Sequence, residues 1–181
     1  GRGAGLGARG GHTDTKGTRG TSYEMDGMAG VGKTALARHA AQEFADRYPD
    51  GAIWVDLYGH TPGMQPREPS GALEQMLLRV GVLPEAITAD LADRQDQWRH
   101  HMYARRMLIV LDNAHTSDQV LPLLPDAPGC LVLITSRRRL TGLTDAYPLS
   151  LDVLGWEEAE RLFIELVGAQ RCDDRDALVQ V

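Results

Sequence analysis

The 181-residue sequence is poor in lysine and cysteine, nearly without asparagine, and free of long apolar runs. Its only cysteines, Cys130 and Cys172, lie far apart without metal-ligand spacing. That excludes a disulfide framework and a cysteine-rich zinc module, and makes a reducing compartment the default. No apolar stretch reaches the ~20 residues that a membrane-crossing helix needs, and no secretory leader pattern is present. The expectation is a cytoplasmic protein with no membrane partner. A basic excess is lacking as well: 19 Lys plus Arg stand against 25 Asp plus Glu, a net charge of -6. This balance argues against a general nucleic-acid binder acting alone, because phosphate contacts need a basic face. Only two of the basic residues are lysines, Lys16 and Lys33, so a lysine inside a motif carries weight. Asn113 is the single asparagine.

What is present falls into three stretches. Residues 1–20 hold eight glycines with Arg2, Arg9, Lys16 and Arg19 and one large apolar side chain, Leu6. Such a segment buries too little to fold, and no aromatic residue interleaves the arginines as base stacking would need, so it reads as a disordered leader rather than an RNA-binding tail. Residues 21–170 read as one α/β domain. Residues 171–181 read as the start of a further segment, and the absence of an initiator methionine points to a piece of a longer protein.

Within the domain, apolar periodicity alternates between strand and helix types, the sign of a three-layer sandwich on a mostly parallel sheet. Strands are expected at Ala52–Leu57, Met107–Leu111, Leu131–Thr135 and, weakly, Tyr147–Leu151. Helices are expected over Thr34–Ala45, with Leu36, Ala40 and Phe44 on the buried face, and over Ser70–Val80, stopped by Gly81. Asp90 should cap a third helix through Leu91, Trp98 and Met102. Ser117 or Asp118 should start a short turn, and Trp156 to Val167 should form an amphipathic helix. Thr21–Asp26 (TSYEMD) stands where a first strand belongs, yet Glu24 and Asp26 occupy core positions, which predicts a weak strand.

The strongest chemical signal is GMAGVGKT, Gly27 to Thr34, which fits G-x-x-x-x-G-K-[ST]. The glycines let successive backbone N–H groups of Gly27, Met28, Ala29, Gly30, Val31 and Gly32 turn inward toward phosphate oxygens, and the following helix adds its positive end. Lys33 would sit on the β and γ phosphates as a compact point charge, which arginine's planar fork cannot replace. The Thr34 hydroxyl would complete the shell of a Mg2+ ion. A second signal, MLIVLD, is an apolar strand ending in Asp112, the Walker B arrangement that holds Mg2+ through water. The third is Thr135–Arg137 (TSR): a strand beside the P-loop strand would deliver Arg137 to the γ-phosphate. Arg138 and Arg139 read as a solvated turn.

Together GMAGVGKT, LIVLDNA, LVLITSRRRL and YPLSLDVLGWEEAERLF resemble the NB-ARC class of signal-transduction ATPases, the STAND group of P-loop proteins. The likeness is to the central module of bacterial antibiotic-regulatory transcription activators. It implies a five-stranded sheet with the Thr135 strand between the P-loop and Walker B strands. It also implies an ATP/ADP switch, with ADP holding a closed state and ATP permitting self-assembly, and with DNA bound only through other domains. The resemblance places phosphate contacts on Gly27, Gly30, Gly32, Lys33 and Thr34, the metal on Asp112 and the sensor on Arg137. The family's hydrophobic-Gly-Arg-Glu motif, its Gly-Leu-Pro-Leu lid segment and its winged-helix histidine have no counterpart in the 181 residues.

Asn113 stands where many ATPases of this group carry an acid. An amide has no useful basicity near neutral pH, so Asn113 could orient water but not deprotonate it. Slow hydrolysis at best is expected. Asp118 reads as a helix cap, Asp56 as the end of an edge strand and His115 as a solvated loop histidine. His100 and His101 are adjacent on a helix and point about 100° apart, which argues against a shared metal. A GTPase reading falls, since Asp112 is not followed by D-x-x-G spacing and no N-K-x-D reader exists. Two alternatives remain beside the switch: a degenerate P-loop module without turnover, and a small-molecule kinase.

Overall fold

A computed structural model describes residues 20–151. The leader, the helix expected from Trp156 and the C-terminal segment lie outside those residues. The element order is β1 (Thr21–Asp26), α1 (Lys33–Glu43), β2 (Ala52–Asp56), α2 (Pro69–Arg79), α3 (Leu91–Met102), β3 (Leu108–Ala114), α4 (Ser117–Val120), β4 (Leu131–Ser136) and β5 (Tyr147–Ser150). The five strands form one sheet in the order β2-β3-β4-β1-β5, and every pairing is parallel. The Thr135 strand thus lies between β1 and β3, the strand that carries Asp112 and runs two residues beyond it.

The apolar runs of β3 and β4 follow from burial on both faces. Ile109, Leu111, Val132 and Ile134 join one core with α2 and α3, while Leu108, Val110, Leu131 and Leu133 join the other beneath α1. Helix α1 presents Ala37, fully buried, with Ala40, Ala41 and Phe44 partly covered. Leu36 is not on that face; it is 37% exposed. The helix lies on the sheet through its alanines, whose small side chains permit a close approach.

Helix α2 begins with Pro69, whose fixed φ and absent N–H suit a first turn. It buries Ala72, Leu73, Met76 and Leu77 and ends before Gly81, at φ 92°. Asp90 caps α3 by accepting from the N–H groups of Ala92 (2.8 Å) and Asp93 (3.2 Å). Trp98 is fully buried and its indole N–H donates to Leu123 O at 3.0 Å, whereas Leu91 is exposed. Arg94 was not foreseen as a core residue. It is buried and donates to Thr88 O (2.7 Å) and Ser70 O (2.8 Å), tying α3 to α2.

β1 takes its place in the sheet despite its polar letters, paired with β4 on one side and β5 on the other. Met25 enters the core under α1. Glu24, 2% exposed, accepts the backbone N–H of Leu140, so its carboxylate holds the chain that leaves β4. Asp26 accepts from the Ser150 hydroxyl at 2.8 Å. The two acids hydrogen-bond neighbouring segments, which is what makes them tolerable inside a sheet. Every residue of β5 is exposed among the described residues.

Candidate functional site

The carboxyl ends of β1, β3 and β4 meet beside the amino end of α1, where ligands of open parallel sheets gather. Between β1 and α1, Gly27, Gly30 and Gly32 have φ of 149°, 83° and 96°. At Gly27 a Cβ would also stand 2.3 Å from Leu151 O, so no other residue fits. Gly32 is the N-cap of α1 and offers no side-chain cap. The first N–H groups of the helix therefore have neither an intrahelical acceptor nor a side-chain cap. Met28 is 70% exposed and Ala29 is exposed, so those two residues contribute backbone rather than side chain.

Lys33 is 9% exposed and its ammonium donates to Gly27 O (2.6 Å) and Met28 O (2.7 Å), curling over the loop. Burial, and next the Arg137 guanidinium, hold its pKa below the usual lysine range; Asp112 and then Asp26 pull it back up. Two cations whose charges oppose each other favour a neighbouring anion. Behind the loop, Asp112 is 7% exposed, and its Oδ1 accepts from the Thr34 hydroxyl (2.9 Å) and from the Thr135 hydroxyl. The P-loop residues and the strand-end acid are thus in one place, as their spacing predicts.

Arg137 is exposed and donates to His60 O at 3.2 Å. Arg138 and Arg139 are exposed on the turn. Asn113 sits in the left-handed region, φ 58°, which asparagine tolerates better than most residues. Its side-chain N–H donates to Thr61 Oγ1 (3.0 Å) and its backbone N–H to Thr135 Oγ1 (2.9 Å). Asp118 does not cap α4. Thr116 does, accepting from Gln119 N at 3.3 Å, because the extended residue that precedes the first turn lies two positions before Asp118. Asp56 ends edge strand β2 and accepts from Tyr58 N at 2.8 Å.

Several residues of the site were not legible in advance. The loop after β2 runs against the end of β3: Leu57 N donates to Asp112 O and Gly59 N to Asn113 O, both at 2.8 Å. It carries His60, whose ring meets that of His115 edge-on with centroids 5.0 Å apart. Burial first, then Arg137 and His115, lower the pKa of His60; a hydrogen bond to Asn113 opposes them and Arg138 adds to the lowering. Its Nδ1 is buried without a partner among the described residues. Thr135 had one signal, a hydroxyl closing an otherwise apolar strand, but its contacts depend on a strand order that spacing does not supply. A separate hollow of about 320 Å³, around Gly20, Arg99 and Asp145, touches none of these residues.

The polar set fits Mg-nucleotide: a buried lysine, a carboxylate already holding two hydroxyls, and glycines in the conformation of an anion-binding nest.

Comparison with known proteins gives concordant results. The NB-ARC domain profile matches residues 15–173. Regulatory protein AfsR of Streptomyces griseus is 43% identical over 156 residues, which is 86% of this chain and 16% of that protein. Regulatory protein AfsR of Streptomyces coelicolor is 41% identical over 158 residues, 87% of this chain and 16% of that protein. The chain therefore spans 16% of the length of these relatives. Among solved structures, Drosophila ORC bound to DNA matches with a TM-score of 0.54 at 21% identity, covering 82% of this chain and 42% of that one. The Aeropyrum pernix ORC1 protein in complex with DNA matches with a TM-score of 0.52 at 16% identity, covering 81% and 43%. At such identities the likeness is one of fold, the P-loop NTPase sheet.

Proposed function

This chain belongs to the NB-ARC domain family, and from that premise we propose that it is the ATP/ADP-binding switch module of a larger transcriptional regulator, with slow ATP hydrolysis at best. The observation that carries the reading is the bond of the Thr34 hydroxyl to Asp112, across 78 positions of sequence, next to a buried Lys33 that curls over a glycine nest. The backbone of Gly27 to Gly32, with Lys33, would hold the phosphates. Thr34 and Asp112 would hold Mg2+, which neutralises phosphate charge when bound. Arg137 would read the γ-phosphate by exchanging its bond to His60 O for a bond to the nucleotide. Residues 21–170 would form the module, within a cytoplasmic regulator that contacts DNA through other parts and self-assembles in its ATP state.

Weak turnover follows from chemistry at Asn113. Its amide accepts no proton, and its N–H is committed to Thr61. That commitment favours, as second reading, a module that binds nucleotide without turning it over. A kinase reading loses support because Leu140, one residue beyond the arginines, is tied to Glu24; the arginines do not ride a free inserted segment.

Titration of the chain with a fluorescent ADP analogue, with and without magnesium, tests the reading. Saturable binding, strengthened by magnesium and weakened at least about tenfold in Lys33→Ala, is expected from loss of a charge-assisted contact. No binding at millimolar nucleotide sinks it.

A further inference from the structure

We propose that Thr135 is a positioning residue for the Asp112 carboxylate and thereby sets the magnesium dependence of nucleotide binding. The inference rests on the nucleotide reading above and names a residue within it.

It starts from an irregularity in the sheet. β3 and β4 pair regularly up to Leu111 and Ile134, then resume at Ala114 and Ser136. Two residues of β3, Asp112 and Asn113, therefore face one residue of β4, Thr135. Such a bulge re-aims side chains at the end of a strand. Asn113 absorbs the extra residue with its φ of 58°. The result is that one hydroxyl reaches both bulged residues: Thr135 Oγ1 accepts the Asn113 backbone N–H at 2.9 Å and donates to Asp112 Oδ1.

Donor and acceptor counting fixes the direction of each bond. A backbone N–H can only donate and an ionised carboxylate can only accept. The single hydrogen of Thr135 must then point at Asp112, because its other contact is itself a donor. The same rule applies to Thr34, whose hydrogen also goes to Asp112 Oδ1 at 2.9 Å. The lone pairs of Thr34 are left facing away from Asp112, as a metal-facing oxygen requires. Thr135 is 1% exposed and Asp112 7%, so water competes little for the bond between those two. The chain of contacts runs from the backbone of Asn113 through Thr135 and Asp112 to Thr34. Without the Thr135 hydroxyl, Asp112 loses a charge-assisted bond and the Asn113 N–H loses its acceptor.

A hydroxyl that merely satisfies a buried backbone group would predict otherwise: its loss would lower stability and leave magnesium irrelevant. The discriminating experiment uses the fluorescent ADP analogue on the chain and on Thr135→Val and Thr135→Ser, each in excess magnesium and in EDTA, with thermal unfolding measured alongside. The ratio of affinities in magnesium and EDTA should fall by about tenfold to a hundredfold in Thr135→Val, the usual cost of removing a partner that orients a metal ligand. Affinity in EDTA should hold, and Thr135→Ser should restore the ratio. A magnesium effect that survives unchanged in a folded Thr135→Val overturns this inference alone. No magnesium effect in the unsubstituted chain overturns it together with the metal role of Asp112, whereas no ADP binding at all overturns the nucleotide reading first. Should Thr135→Val not fold, the amide resonance of Asn113 in the unsubstituted, ADP-loaded chain decides: it should move on magnesium addition, and a static resonance overturns the proposal.

Discussion

At Asn113 one residue does three things that its neighbours in sequence do not reveal. It accepts a left-handed backbone, its N–H feeds Thr135, and its side-chain amide holds Thr61. A carboxylate there would keep the conformation, since aspartate also tolerates this region, and would add a proton acceptor beside the site. Asn113→Asp should raise ATP turnover toward about a hundredfold, the low end of what a positioned base supplies, while changing ADP affinity far less. Equal and negligible turnover in both proteins, measured as phosphate release, would remove the proposed link between Asn113 and slow hydrolysis. Lys33 shows the complementary point. Its ammonium is costly where it stands, buried and opposed by the charge of Arg137, and its two carbonyl contacts offset only part of that cost. A phosphate would offset the rest.

Among the elements, the loop after β2 is held most closely to the site. Tyr58, like Asn113, lies at positive φ, 55°, and the two segments run side by side. Gly59 is where they touch: a Cβ would fall 2.5 Å from Asn113 O and 2.7 Å from His115 N, both backbone atoms. Gly59→Ala should destabilise the fold by about 1–3 kcal/mol, the usual cost of overpacking, and should weaken nucleotide binding by displacing the strand end that carries Asp112. Urea unfolding checks the first part and ADP titration the second; an unchanged midpoint would mean that this loop yields freely. Helix boundaries followed from capping and periodicity because those are local effects. The buried face of α1 did not, since Leu36 and Ala37 differ by one position and the sheet selects the smaller.

For the whole molecule, acid sensitivity follows from its histidines. Burial and Arg137 lower His60; burial and Arg105 lower His101, both from an ordinary value of 6.5. The unfolded chain then binds more protons than the folded one once pH drops through that value, so stability is complete above it and declines below it. The urea midpoint should fall between about pH 7.5 and about pH 5.5, above the range where carboxylates titrate. Replacing both histidines with glutamine should flatten the profile, and a profile flat in the unsubstituted chain would contradict the assigned environments.

GMAGVGKT, LIVLD and LVLITSR each announced an element and a chemical type, because glycine conformation, apolar runs buried on two faces and a strand-end acid are properties of short segments. A candidate phosphate cradle, a candidate metal-holding acid and a candidate sensor arginine could be named from them as expectations. Which strand lies beside which was a matter of resemblance, and the sheet order settled what spacing leaves open. TSYEMD looked too polar for a strand because nothing in six residues says that Glu24 will hold Leu140 N–H. Thr135, Thr61, His60 and Gly59 entered the site only on folding. Their roles depend on contacts across 22 to 77 positions, from the bond of Asn113 to Thr135 to that of Arg137 to His60. Contacts of that range are set by packing of the sheet, which no local pattern encodes.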